Sequence, residues 1–136
     1  MKLGDLSVGY LYSLRAALQA LGHDPAPLLQ RFRISADMLA TPQARISIPR
    51  FMRLGNAAIA LSGRADIGLL MGEHSHPSHL GLAGMIAQCA DDLLQAFQIL
   101  VRYERLSSQN YRGRSSFLPP ALRFYSISPY NAFNLF

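Results

Sequence analysis

The spacing of apolar residues constrains the fold of this chain more than any other feature. Four leucines follow one another at intervals of three, four and three residues: Leu11, Leu14, Leu18 and Leu21. A second segment repeats these intervals: Phe51, Leu54, Ala58 and Leu61. Residues spaced in this way lie on one face of an α-helix. Gly22 and Gly63 follow the two segments, at positions where helices commonly end. The spacing therefore predicts amphipathic helices that pack their apolar faces together.

Shorter helices are predicted between and after these two segments. Four residues are placed to cap them: Asp24, Ser35, Asp66 and Asp91. In a helix from Leu80 to Cys89, the residues expected to face the core are Leu82, Met85, Ile86 and Cys89. In the last helix, after Asp91, they are Leu93, Leu94, Phe97, Leu100 and Val101. The patterns together predict about six helices.

The pattern changes after Ser107. Pro119 and Pro120 form a rigid corner, followed by alternating residues from Leu122 to Ile127, which predicts a short β-hairpin. An isolated hairpin is marginally stable, so this one must pack against the helices. The predicted fold class is mainly α (α+β), in one domain over residues 1–136 with a helical body at 7–107 and a strand-forming tail at 108–136. The apolar segment 133–136 predicts that the domain continues and is truncated here.

Composition and charge exclude several classes of protein. Half of the 136 residues are hydrophobic and 15% are charged, which is typical of a folded domain. No apolar run approaches the roughly 18 residues of a membrane helix, and the first residues do not resemble a secretory signal. The single cysteine, Cys89, cannot form an internal disulfide, so we expect a cytoplasmic protein without membrane contact. Residues 101–136 hold five arginines against Glu104 alone, a sparse basic surface that we interpret as solvated rather than as a nucleic-acid site.

The residues offer little catalytic chemistry. His74, His76 and His79 form the densest cluster of potential metal ligands, but Pro77 interrupts any helix across them. A solvated loop is the favoured interpretation, and a small metal-responsive binding module is the alternative. Cys89 is expected on the buried face of its helix, and a hydrolase built on it would need that thiol exposed. We therefore predict no catalytic residue, no resident metal, no cofactor and no enzyme.

Two glycines three residues apart, Gly81 and Gly84, begin the helix before Cys89. Glycine at such positions allows the backbone of another element to approach closely. Close packing is therefore the favoured interpretation, ahead of contact with a ligand.

The order of several short motifs resembles the amino-terminal, arabinose-binding-like sensor domain of AraC-type bacterial transcription regulators. The resemblance covers residues 8–107 and is carried by Leu21-Gly22-His23-Asp24-Pro25, Arg45-Ile46-Ser47, Asp66-Ile67-Gly68-Leu69 with Gly72, Ser78-His79-Leu80-Gly81-Leu82-Ala83-Gly84, Ala96-Phe97 and Arg102-Tyr103. The tail matches only loosely. Each motif alone is weak, and their order makes the resemblance specific.

The resemblance implies a cytoplasmic regulator whose amino-terminal domain senses a small molecule or mediates dimerisation. In that family a carboxy-terminal domain with two helix-turn-helix units binds promoter DNA, and no such pair follows Ser107 here. We therefore expect a small-molecule effector and a homodimer as partners, with promoter DNA bound only through the missing domain. The effector is expected between the helical body and the tail, near four candidate residues that combine apolar bulk with hydrogen-bond donors: Arg102, Tyr103, Arg123 and Tyr125.

Overall fold

The first long helix runs through the centre of the core. The computed structural model describes residues 4–110, 115–118 and 121–126, and side chains from 4 to 109. The α-helices, numbered α1 to α8, are Gly9–Ala20, Ala26–Arg31, Ala36–Ala40, Ile48–Ser62, Ile67–Glu73, Leu82–Gln88, Leu93–Arg102 and Glu104–Ser107. A 3₁₀ turn, Pro77–Leu80, lies between α5 and α6. The strands, β1 to β5, are Gly4–Ser7, Arg45–Ser47, Ser108–Asn110, Ser115–Leu118 and Ala121–Ser126.

The predicted class, mainly α with a short carboxy-terminal hairpin, is confirmed. The described residues form eight α-helices rather than about six, because several short segments make a helix of their own. β4 and β5 pair antiparallel, with Phe117 opposite Phe124, and β4 lies against α7. A three-stranded sheet was not predicted: β1 pairs antiparallel with β2 on one side and with β3 on the other. In the described residues, none of the helices has the length and apolar character needed to cross a bilayer.

The core is built around α1 and α4, as the leucine spacing predicts. Leu11, Leu14 and Leu18 are fully buried on one face of α1. Leu54 and Ala58 are equally buried on α4. Other members of the same cluster come from neighbouring segments: Val8, Ala17, Leu28, Leu29, Ile34, Ile46 and Ile67. Leu61, in contrast, is largely exposed at the end of α4.

Local signals for helix ends are confirmed at several positions. Gly63 follows α4 in the left-handed conformation (φ 67°), and Gly22 has φ 80° after α1. The Ser35 hydroxyl accepts a hydrogen bond from the Met38 amide at 3.1 Å and so caps α3. α7 is capped by Asp92 rather than by the predicted Asp91.

The predicted orientation of α6 is wrong. Ala83 and Gly84 are buried, whereas the residues expected in the core are exposed: Leu82 (60%), Met85 (57%), Ile86 and Cys89. At the start of α7, Leu93 (66%) and Leu94 are exposed as well. The reason is the position of Gly84: a Cβ atom there would lie 1.8 Å from the Pro77 carbonyl oxygen, so only glycine can face the turn. This contact turns the small face of α6 inward and the large apolar face outward.

Gly9 holds the same turn from the opposite side. A Cβ atom on Gly9 would lie 1.6 Å from the His79 carbonyl oxygen. The 3₁₀ turn is therefore enclosed between the backbones of α1 and α6, and we call this arrangement the two-glycine seat, formed by Gly9 and Gly84. Close packing is confirmed for Gly84. Gly81 serves a different purpose, because its φ of 63° and ψ of −141° suit glycine and no neighbour approaches it.

The two-glycine seat predicts that Gly9→Ala and Gly84→Ala each destabilise the chain. Because the obstructing atoms belong to the backbone, the turn or a helix must move, and we expect the free energy of unfolding to fall by about 3 kcal/mol. Gly55→Ala is the matched control: nothing lies near that position within α4, so we expect a gain of up to about 1 kcal/mol. Urea denaturation measures the free energy of unfolding of all three variants. Equal values for Gly84→Ala and Gly55→Ala would contradict the close contacts of the two-glycine seat.

Candidate functional site

A cavity of about 300 Å³ lies beside the two-glycine seat, between the 3₁₀ turn, α6 and α7. Its described lining is Ser75, His76, Pro77, Leu80, Gly84, Ala87, Gln88, Ala96 and Leu100. The volume is at the lower end of the range for small-molecule sites. We call this cavity the turn pocket.

The turn that forms one wall is fixed by its own side chains. The His76 amide donates a hydrogen bond to Nδ1 of His79 at 3.2 Å, and Nδ1 of His76 lies 3.0 Å from the Ser78 hydroxyl. The first interaction is one half of a reciprocal cap at the start of the turn, and in the other half the His76 side chain accepts from the His79 amide. Pro77 at the first position presets the backbone for the turn.

His79 attaches the turn to α1. Its ring stacks on Tyr12 with the centroids 5.7 Å apart, and its Nδ1 lies 3.0 Å from the Ser13 hydroxyl. Because Nδ1 accepts the His76 amide proton, it carries no proton itself, and the Ser13 hydroxyl donates to it. Burial, and then the nearby His76, lower the pKa of His79. The neutral imidazole is therefore the form that holds the turn.

The described lining of the turn pocket is almost entirely apolar. Six of its residues present hydrocarbon or backbone: Pro77, Leu80, Gly84, Ala87, Ala96 and Leu100. The three polar side chains, Ser75, His76 and Gln88, belong to exposed residues. Because the Ser13 proton goes to His79, the Ser75 hydroxyl donates its own proton to the Met71 carbonyl at 2.7 Å or to the Ser13 oxygen at 2.9 Å, so it can only accept a hydrogen bond from a ligand. This arrangement is suited to binding, since its described lining holds no carboxylate or thiol.

The structure places the four predicted effector-binding residues at the end of α7 and in β5. Arg102 and Tyr103 are exposed at the end of α7, with the guanidinium carbon 5.8 Å from the centre of the Tyr103 ring. Neither belongs to the described lining of the turn pocket. Arg123 and Tyr125 lie in β5, and their side chains are outside the described residues. The role assigned to these four residues stays a prediction.

The structure gives no support to the metal-responsive alternative. Among the residues that the structure describes, no three His, Cys, Asp or Glu side chains are arranged to hold a metal ion. His76 and His79 have ring centroids 6.3 Å apart, and Nδ1 of each is used within the turn or by Ser13. These two histidines are structural elements of the turn.

The prediction that Cys89 is buried is wrong, because Cys89 is exposed at the end of α6. Exposure meets one requirement of a nucleophilic thiol. In the described part of the chain, however, its hydrogen bond goes to the Met85 carbonyl at 3.6 Å rather than to an imidazole base. Its surroundings give no support to a hydrolase.

Sequence reasoning missed most of the turn pocket. Ala87, Ala96 and Leu100 resemble ordinary helix residues, and Gln88 and Ser75 resemble ordinary surface residues. The signal that could have found the site is the motif from Ser78 to Gly84, since its glycines show that a turn and a helix approach each other closely.

Comparisons with known proteins agree with this architecture. The family model described as the arabinose-binding domain of AraC transcription regulators, at their amino terminus, matches residues 22–121. The ornithine utilization regulator of Pseudomonas aeruginosa is 27% identical over 104 residues, which are 76% of this chain and 31% of that protein. The chain therefore spans about a third of the length of the curated relative that it matches.

The environment of His79 predicts that stability depends on pH. Its pKa is lowered in the folded state from the usual 6.5, so the unfolded chain binds this proton more readily. The stabilising contribution is complete above the unfolded pKa and is lost as the pH falls through the folded value. We therefore expect the free energy of unfolding to decrease from about pH 7 to about pH 5.

Urea denaturation at several pH values between about 5 and about 7 measures how the free energy of unfolding changes with pH. His79→Asn should flatten the pH dependence, because the amide oxygen replaces Nδ1 as an acceptor and does not titrate. His23→Asn, after the end of α1, is the matched control and should retain it. An unchanged pH profile in His79→Asn would show that the imidazole does not hold the turn in its neutral form.

Proposed function

This chain belongs to the AraC-type transcription regulators, within the family of their arabinose-binding amino-terminal domain, and on that premise we propose that it senses an effector in the turn pocket. A regulatory domain of a transcription regulator acts by binding rather than by catalysis. The observation that carries the proposal is a cavity of about 300 Å³ whose described lining is mainly apolar and includes three polar residues. Small-molecule sites have this composition, in which apolar area supplies affinity and a few polar groups supply orientation.

The construction of the turn pocket supports a mechanism of population shift. One wall, the 3₁₀ turn, is attached to α1 through His79 and the two-glycine seat. The other walls belong to α6 and α7, and β4 lies against α7. An effector that contacts both walls favours the arrangement in which they are close. By its differential affinity it shifts the regulator towards that arrangement.

Promoter recognition is proposed for a part of the protein outside this chain. The relative from Pseudomonas aeruginosa is about three times as long as the segment that matches. The turn pocket would then report effector binding to a DNA-reading domain, in a cytoplasmic regulator. L-ornithine is a first probe because of the name of that relative, and L-arabinose because of the name of the family. Neither name identifies the effector of this chain.

A second candidate role is dimerisation through the outer face of α6 and the start of α7. The exposed apolar side chains there, which we call the outer apolar face, are Leu82, Met85, Ile86, Leu93 and Leu94. Soluble monomers rarely expose several large apolar side chains side by side. A second copy of the chain is the proposed partner, since closed two-fold pairs are the commonest oligomers. Sensing and dimerisation are compatible, because the two surfaces lie on opposite sides of α6.

Filling the turn pocket should abolish effector binding. A panel of metabolites that includes L-ornithine and L-arabinose is first screened with the full chain, and a true effector raises the unfolding temperature. In Ala96→Leu the added carbon atoms occupy the cavity, so we expect at least a tenfold loss of affinity, about 1.4 kcal/mol. Ala60→Leu, at an exposed position of α4, is the matched control and should bind as the wild type does. Undiminished binding by Ala96→Leu would exclude the turn pocket as the site.

A charge on the outer apolar face should prevent dimerisation. We expect sedimentation velocity to show a concentration-dependent dimer for the wild type, and a monomer for Met85→Glu because a carboxylate cannot be buried there without a partner. Leu69→Glu is the matched control, since Leu69 is 77% exposed on α5 and lies outside this face. The proposed role in dimerisation would be contradicted if the wild-type chain stays monomeric at all concentrations. It would also be contradicted if Met85→Glu still forms a dimer.

A further inference from the structure

We infer that the effector of the turn pocket is a small, uncharged, mainly apolar molecule with one hydrogen-bonding end. The inference rests on the proposed function, in that it takes the turn pocket as the effector site. It concerns the chemical class of the ligand, which follows from the charge, the hydrogen-bonding capacity and the volume of the pocket.

The charges of the lining disfavour an ionic ligand. Among the described residues of the turn pocket there is no Asp, Glu, Lys or Arg. The titratable side chain among them is His76, whose Nδ1 is engaged by Ser78. A ligand ammonium or carboxylate placed between Leu80, Ala87 and Leu100 would lose its hydration without gaining a counter-charge. Amino acids and diamines are therefore poorly matched to the described lining of this cavity.

The hydrogen-bonding capacity of the lining disfavours a sugar. A pentose carries several hydroxyl groups, and each needs a partner when it leaves water. The described polar residues of the lining are Ser75, His76 and Gln88, all of them exposed. The Ser75 hydroxyl proton is already used within the protein, by the Met71 carbonyl or by Ser13. These groups can satisfy one polar end of a ligand but not a ring of hydroxyls.

The volume fits a ligand of modest size. A dry apolar cavity of about 150 Å³ accommodates one benzene molecule. The turn pocket, at about 300 Å³, has room for a ring with a short substituent or for a medium-length alkyl chain. The apolar part would lie against Leu80, Ala87 and Leu100. Its polar end would face Gln88 and His76.

A homologous series of neutral ligands tests the class directly. Straight-chain primary alcohols from butan-1-ol to octan-1-ol are titrated calorimetrically into the full chain, with L-ornithine and L-arabinose as polar comparators. Each added methylene should strengthen binding by about fourfold until the cavity is filled, and longer alcohols should then gain nothing. Both polar comparators should bind at least about a hundredfold more weakly than the best alcohol.

Two variants connect the series to the turn pocket. Ala87→Leu adds three carbon atoms to the wall, so the chain length at which affinity stops rising should fall by about two or three carbons. Gln88→Leu should weaken all alcohols by a similar factor of about 2–10 while the gain per methylene stays the same, because only the polar end loses a partner. Ala60→Leu is the control for both. Urea denaturation confirms that each variant is folded, and Gln88 is exposed, so its replacement leaves the core intact.

The outcomes separate the class of ligand from the function. Length-dependent alcohol binding that Ala87→Leu shortens supports the inference. Tight binding of L-ornithine or L-arabinose that Ala87→Leu abolishes would overturn the apolar class and leave the proposed function standing. If the alcohols bind but Ala87→Leu does not change the chain length at which their affinity stops rising, the binding is non-specific adsorption. This result would overturn the inference. Failure of every probe and of the metabolite panel to bind in the turn pocket would overturn both.

Discussion

The close approach of the 3₁₀ turn to two helix backbones is the constraint on which the half of this domain that holds the turn pocket depends. At Gly9 and at Gly84, a single methyl group would overlap a carbonyl oxygen of the turn. Protein interiors are packed densely enough that such a contact fixes the relative position of the three elements. With α6 held by Gly84, its small residues face the turn. Its large apolar residues are then left on the outside, and the space between the turn, α6 and α7 becomes a cavity rather than a filled core.

The turn pocket and the outer apolar face are therefore two consequences of one contact. Had α6 been rotated to bury Leu82 and Met85, these side chains would have occupied the interior and removed the exposed face. Complete burial of Leu82 or Met85 would stabilise the fold by about 1.5–3 kcal/mol each. This stabilisation is largely absent here because both side chains are exposed. A displacement of α6 in response to a ligand would change the two surfaces together. Under the proposed function, this coupling is a physical route from effector binding to dimerisation.

How far the sequence predicts this structure depends on the range of the interactions. Leu11, Leu14 and Leu18 are buried as predicted, and Ser35 and Gly63 end or begin helices as predicted, because each signal lies within one helix. The orientation of α6 was mispredicted because it is set by Pro77, which a periodicity argument does not consider. The sheet of β1, β2 and β3 was not predicted, because each strand has only three or four residues. Alternation of apolar and polar residues is not visible over so short a segment, and the three strands are far apart in the chain. The turn pocket was missed for a related reason: its walls are small residues on separate elements.

The distribution of buried residues supports the proposal that the elements around the turn pocket respond to a ligand. The fully buried leucines belong to α1 and α4, which have 12 and 15 residues, whereas α6 has seven residues and α7 buries none completely. Helices of seven residues are not stable alone, so α6 depends on its contacts with the turn and with α7. Local unfolding or displacement costs least where few apolar side chains are buried. A ligand in the proposed site would add apolar contacts to α6 and α7, which bury few large side chains, so its binding free energy would act on elements that are easily displaced. The core on α1 and α4 meanwhile keeps the domain folded in either arrangement.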